Sequence, residues 1–278
     1  MRHTGTSFHL SITAMKPRIL LFLLVSLCVP FSLNAAETAR KALILADKAD
    51  EMPELCKLIQ NGGWSATQIA QADWDASFSG LDAIVVYIHE PILEPVEKAL
   101  IDYAEQGGRL LVVHHALASA KMENPRWLEF LGIKILPRSN PDAPWFVSGD
   151  VPFTVINLAP NHYITSHKVV YSKTVAYRSP TRKELDKEFP AFVLERSEIF
   201  HNQRITDGEA KIPLFAYRLE EPQAGELPAN VPASEETAGW LKKTGKGWTI
   251  YLQPGHTSTD FHHPAFAQIL LNALNWKE

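Results

Sequence analysis

Cysteine is nearly missing from this 278-residue chain, which carries only Cys28 and Cys56. Cys28 falls within an expected leader over 1–35, so an exported chain keeps Cys56 alone, without an internal disulfide. Charge imbalance is also missing. Lys and Arg number 27 against 31 Asp and Glu, a net charge of −4, and the cations are scattered. Nothing marks a surface for nucleic acid or for an anionic membrane. No Gly-x-Gly-x-x-Gly follows the first apolar stretch, where "LILADKADEM" stands, so no dinucleotide phosphate loop is expected. Only one long apolar run occurs, "ILLFLLVSLCVPFSL" at 19–33. It follows Met15-Lys16-Pro17-Arg18 and ends at Asn34-Ala35-Ala36-Glu37. A charged start, a short apolar core and small residues describe a secretory signal peptide. The run is shorter than the roughly 20 residues of a membrane span, and an uncleaved anchor is the alternative reading. The expectation is a leader over 1–35, then one exported domain over 36–278, periplasmic or secreted. No membrane contact is expected after cleavage, and Cys56 is left unpaired.

What the chain does have is alternation of strand and helix in its first half. "KALILAD" (41–47), "WSATQIA" (64–70), "LDAIVVYI" (81–88) and "RLLVV" (109–113) read as strands. The last is apolar without a break, as in a central strand covered on both faces. "EMPELCKLIQNGG" (51–63), "EPVEKALIDYAEQGG" (94–108) and "NPRWLEFLG" (124–132) read as helices, with proline early and glycine at the end. Asn124 is the expected N-cap of the third. From about 145 to 220 the pattern changes to short β runs without convincing helices, and 220–237 reads as an exposed loop. "GWTIYLQ" (247–253) is a final strand, and "HPAFAQILLNALNW" (263–276) a final helix. The fold class is therefore α/β: an open, mostly parallel sheet flanked by helices, with a β-rich insertion before the last strand–helix unit.

Ligands of such sheets bind at the carboxyl ends of the strands. Histidines stand at those ends: His89 after "AIVVYI", His114 and His115 after "RLLVV", His256 after "IYLQPG". His162 and His201 lie in the insertion, the latter near Glu198. Any one of these alone reads as a hydrogen-bonded or exposed histidine. The pair His114 and His256 says more, because neighbouring parallel strands would bring both tips to one cleft.

The stretch "ALIDYAEQGGRLLVVHHA", followed by "GWLKKTGKGWTIYLQPGHTSTDFHHPAFAQILLNALNW", resembles the ThuA-like, or trehalose-utilisation, family. Trp240, Gly245-Lys246-Gly247, Gly255-His256, Pro264-Ala265-Phe266, Asn272 and Trp276 carry the likeness. His162-Tyr163-Ile164 and Ser197-Glu198-Ile199-Phe200 stand where the family has a His-Pro-Ile and an acidic element. The family's His-rich first loop is replaced by "ADKADEMPE". The resemblance implies a class I glutamine amidotransferase-like, or flavodoxin-like, fold. In the amidotransferases a catalytic cysteine occupies the turn after the central strand; here that turn carries His114 and His115. A thiolate nucleophile needs its base beside it, and Cys56 sits in an early helix, so glutamine hydrolysis is excluded.

The resemblance implies a small-molecule sugar or keto-sugar related to trehalose as substrate. Two classes of function stay open. One is a hydrolase- or isomerase-type enzyme with His114, His256 and Glu198 as acid–base groups and His115, His162 and His201 contacting substrate. It has a metal-assisted form, in which His114, His162, Glu198 and His256 hold zinc or another divalent ion. The other is a non-catalytic carbohydrate-binding or accessory protein. Any redox role would need a sugar oxidoreductase as partner, and a homodimer is an open possibility for such a domain.

Overall fold

The computed structural model describes residues 1–7, 9–10 and 39–278, apart from 76, 180, 181 and 222. The expected signal peptide therefore lies mostly outside the described residues. The chain divides into Met1–Thr38 and Ala39–Glu278. Residues 1–7, 9 and 10 of the first unit form neither helix nor strand. No described helix is long and apolar enough to cross a membrane.

The second unit runs β1 (Lys41–Ala46), α1 (Pro53–Asn61), β2 (Ser65–Ala70), β3 (Ala83–Tyr87), α2 (Glu94–Glu105), β4 (Arg109–Val113), α3 (Pro125–Leu131) and β5 (Ile133–Lys134). It continues with β6 (Phe146–Asn157), α4 (Tyr163–Ser166), β7 (Lys173–Tyr177), β8 (Lys187–His201), β9 (Arg204–Ile205) and β10 (Lys211–Leu219). β11 (Ser234–Thr244), β12 (Gly247–Leu252), α5 (Ser258–His262) and α6 (Pro264–Asn275) complete it. One ten-stranded sheet has the order β2-β1-β3-β4-β12-β11-β10-β6-β8-β7. The first five are parallel and the remainder antiparallel. The β-rich insertion thus extends the sheet instead of forming a lobe of its own. The expected exposed loop over 220–237 ends early, because Ser234–Glu236 already pair or pack as strand and Thr237 is buried.

Alternation along the parallel strands divides the core. Ile44, Val85, Leu111 and Val113 face α1 and α6, where Phe266, Ile269 and Leu270 pack. Leu45, Val86, Leu110 and Val112 face α2 and α3, against Leu100, Trp127 and Leu131. Successive residues of a strand point to opposite faces, so a strand covered on both sides must be apolar throughout, and β4 is. Burying each such side chain contributes roughly 1.5–3 kcal/mol. Asn124 precedes α3 but does not cap it with its side chain. Its amide instead bonds the backbone of Ile92, accepting from the N–H and donating to the carbonyl.

The "GKG" of the closing motif is a packing device. A Cβ on Gly247 would stand 2.2 Å from the carbonyl oxygen of Gly108 and 2.3 Å from that of Ala104. Gly245 has φ +56, and its Cβ would meet the backbone of Glu105 at 2.5 Å. Only glycine lets the β11–β12 turn seat against the end of α2. At the same end of β4, Arg109 donates to the carbonyls of Leu274 and Trp276, closing the C-terminus of α6.

Candidate metal centre

β4 and β12 are parallel neighbours, with Val113 opposite Leu252, so both chains leave the sheet at the same edge. His114, the first residue after β4, has φ +44. That left-handed conformation is costly for a residue with a Cβ and marks a functional turn. It sends the imidazole inward, fully buried, against Phe200 at 4.5 Å between ring centroids. After β12, Gly255 (φ +118) turns the chain back so that His256 faces the same point.

Glu198 arrives from the other half of the sheet. β8 lies four places from β12 in strand order, too far for a flat strand to contribute. Its partner β6 is irregular in register between Ser148 and Phe153, with Asp150 at φ +57. Such bulges bend a ribbon, and the far end of β8 reaches the cleft. Alternation then aims Glu198 and Phe200 at the histidines and His201 away from them.

Four donor atoms converge. His114 Nε2 is 3.1 Å from His256 Nδ1 and 3.3 Å from Glu198 Oε1. Glu198 Oε1 is 3.7 Å from His115 Nε2 and 3.6 Å from His256 Nδ1. All four lie within 4.8 Å of one another. A tetrahedral site with ligand bonds of ~2.0–2.2 Å has donors about 3.3–3.6 Å apart. Four of the separations, 3.1–3.7 Å, lie close to that spacing, while the set as a whole is held within 4.8 Å; three nitrogens with one carboxylate oxygen suit zinc or a neighbouring first-row ion.

Tautomers sharpen the case. His114 Nδ1 lies 2.6 Å from the carbonyl oxygen of Gln253. A carbonyl only accepts, so Nδ1 carries the proton and Nε2 of the neutral ring presents a lone pair. That lone pair faces the Glu198 carboxylate. His256 Nδ1 lies 3.1 Å from the same nitrogen, so the lone pair can be met by a metal ion, by a proton, or by the N–H of one His256 tautomer. A backbone carbonyl fixing the far nitrogen is also how metal-bound histidines are held.

Electrostatics agree. Burial pushes His115 down to about 3, more than its contact with Glu198 raises it. Burial and the neighbouring His114 lower His256. Burial alone would raise Glu198, but the surrounding imidazoles hold its carboxyl below the usual range. Near neutral pH His115 and His256 offer neutral imidazoles and Glu198 a carboxylate, the forms that bind metal.

The structure brings together four of the residues singled out by sequence: His114, His115, His256 and Glu198. His162 is not among them. It caps α4, where its Nδ1 accepts from the Ile164 N–H at 3.2 Å, and its ring lies 5.5 Å from Trp276. The candidate cluster contains His115 in place of the expected His162, because adjacent residues on the tight turn after β4 both reach the same point. His201 is also elsewhere, buried between Ser148, the Pro232 carbonyl and Tyr217. It therefore lies apart from the four converging donors. Sequence reading missed Asp260, Tyr87 and the packing of His89, whose ring stacks on His115 at 4.2 Å. Tyr87 donates to the carbonyl of His256 at 3.1 Å. His89 was visible as a strand-end histidine; Tyr87 and Asp260 left no such signal. The replaced first loop contributes Asp47, which accepts from the N–H groups of His89 and Glu90.

Comparison with known proteins agrees with this architecture. The family pattern named ThuA, described as trehalose utilisation, matches residues 46–277. A ThuA-like protein from Bacteroides uniformis is 16% identical with a TM-score of 0.58, covering 88% of this chain and 94% of its own. One from Parabacteroides merdae is 13% identical with a TM-score of 0.60, covering 86% and 89%. A cytoplasmic protein from Salmonella typhimurium is 15% identical with a TM-score of 0.53, covering 84% and 98%. At these identities the structures show a shared fold. No curated protein matches the sequence.

Proposed function

The chain belongs to the ThuA, or trehalose-utilisation, family, and from that premise we propose that it is a metal-dependent enzyme acting on a neutral sugar or keto-sugar. The observation that carries the reading is the convergence of three imidazole nitrogens and one carboxylate oxygen, all within 4.8 Å of one another, with His114 Nδ1 held by the Gln253 carbonyl. His114, His115, His256 and Glu198 would hold the ion. Bound there, it would polarise a sugar carbonyl or acidify a water.

The cleft beside the donors supports the substrate class. It measures about 290 Å³ and is lined by Glu51, Glu54, Tyr87, His115, His256 and Ser258 among others, with no Lys or Arg. The Glu51 and Glu54 carboxylates can accept from sugar hydroxyl groups. The volume is at the small end of ligand cavities and suits one sugar ring. His256 is the ligand nearest solvent, its side chain 30% exposed against 0% for His114, so substrate would approach over it.

Turnover of disaccharides and 3-keto-glucosides by the metal-loaded protein tests the reading. Hydrolysis or isomerisation that stops on chelation and returns with the ion is the expected result. Sugar binding with no turnover would instead establish the non-catalytic alternative. We also propose export to the periplasm or medium, on residues 15–36 alone. A mature N-terminus near residue 36 in the native host is expected, and one before residue 30 would refute it.

A further inference from the structure

Asp260 lies on α5, makes no ion pair among the described residues, and is 2% exposed. A buried carboxylate without a cation is costly unless N–H and O–H donors surround it. Here one oxygen, Oδ2, takes three. It accepts from Ser197 Oγ at 2.6 Å, from the Gly255 N–H at 2.9 Å and from the His256 N–H at 2.9 Å.

The donors belong to the two segments that must meet. Ser197 immediately precedes Glu198 on β8; Gly255 and His256 form the turn after β12. No ladder hydrogen bond joins β8 to β12, since three strands separate them. The turn has little freedom of its own, for a Cβ on Gly255 would lie 2.9 Å from Val113 Cγ1. One carboxylate oxygen therefore bridges the antiparallel and parallel halves of the sheet at the metal centre.

We infer that Asp260 is a positioning residue whose carboxylate sets the separation of Glu198 from His256 and thereby the affinity of the cation site. This rests on the metal reading above. Charge-assisted bonds to backbone N–H are among the stronger ones, and groups that orient ligands typically govern 10- to 100-fold in metal affinity. Asn at this position keeps the shape but loses the charge and can accept with only one of its two terminal atoms.

The test is zinc affinity by competition with a chromophoric chelator, on wild type, Asp260→Asn and Ser197→Ala. Each is first checked for folding in the zinc-free form by its melting temperature. The absorption spectrum of the cobalt-substituted forms reports coordination geometry. Asp260→Asn is expected to weaken zinc by ~10- to 100-fold in folded protein and to alter the cobalt spectrum, with Ser197→Ala a few-fold weaker. If Asp260→Asn does not fold, Ser197→Ala decides by the same readouts. Wild-type affinity and spectrum in the folded variants would overturn the inference while leaving the metal reading intact. A wild type that binds neither zinc nor cobalt would overturn both.

Discussion

Replacing Glu198 with Gln neutralises the one carboxylate whose oxygen lies within 3.7 Å of all three nitrogen donors. The side chain keeps its shape but loses its charge. Outer groups that only orient ligands govern 10- to 100-fold in affinity, so a ligand's own charge should cost at least ~100-fold. This converts to a thermal shift. With zinc at 100 times the wild-type Kd, binding stabilises by about 2.7 kcal/mol. For a domain of this size each kcal/mol is roughly 2–4 °C, so wild type should gain about 5–10 °C. At the same zinc concentration the variant would stand near its own Kd, gaining about 0.4 kcal/mol and ~1 °C. Without zinc the two should melt within a few degrees. Glu198 is largely buried, and the charge removed is costly to bury as well as attracted to its neighbours. Differential scanning fluorimetry in chelator and in buffered zinc measures both. An Glu198→Gln protein that gains as much from zinc as wild type would refute the geometry.

Three further outcomes follow from particular groups. Gly247→Ala pushes a methyl into two backbone carbonyls, so it should destabilise by about 2–4 kcal/mol, or roughly 5–15 °C, while zinc affinity of the folded fraction is unchanged. Cys56→Ser should leave turnover within a few-fold, since the thiol's hydrogen-bond partners are Gln60 and the Ala66 carbonyl, with no base among them; loss of activity with normal folding would restore a thiol mechanism. In zinc-free protein, burial holds His115 near about 3 and His201 near about 4, below the ~6.5 of an unfolded chain. The unfolded state then binds more protons, and stability falls as pH drops from about 6.5 toward 4.5. Burial raises Glu235 to about 7, which works the other way. Burial lowers His162, His256 and His263 as well, so the histidines outweigh Glu235; the net loss is at least on the order of 1 kcal/mol per pH unit, and a melting temperature that rises on acidification would contradict it.

The parallel half of the fold was legible because its signals are local. "RLLVV" had to be a doubly covered strand, and the proline and glycine bounds of α1, α2 and α6 agree with the structure. Adjacency of β4 and β12 followed from their character and put His114 beside His256. The antiparallel half was legible only as β. Its strand order and the bulges that swing β8 over the cleft depend on contacts far apart in sequence, so Glu198 rested on family likeness rather than topology. His115 is a substrate contact in the sequence reading, with no local signal that joins it to the candidate ligands. The positive φ at His114 ends the strand there and lets both rings reach one point. His162 looked equivalent to the others in sequence, but its place is decided by α4 and Trp276. Asp260 could not be found at all, since an aspartate in a polar loop says nothing until its three donors are seen.

The central claim is that His114, His115, His256 and Glu198 form a metal site. Elemental analysis of protein purified without added chelator, repeated after equilibration with zinc, tests it most directly. About one divalent ion per chain is expected in wild type, and little or none in the His114→Ala/His256→Ala double variant folded to the same melting temperature in chelator. Wild type that carries no metal and takes up none from micromolar zinc would leave the His114 lone pair to a proton or to the His256 N–H, and would contradict the claim.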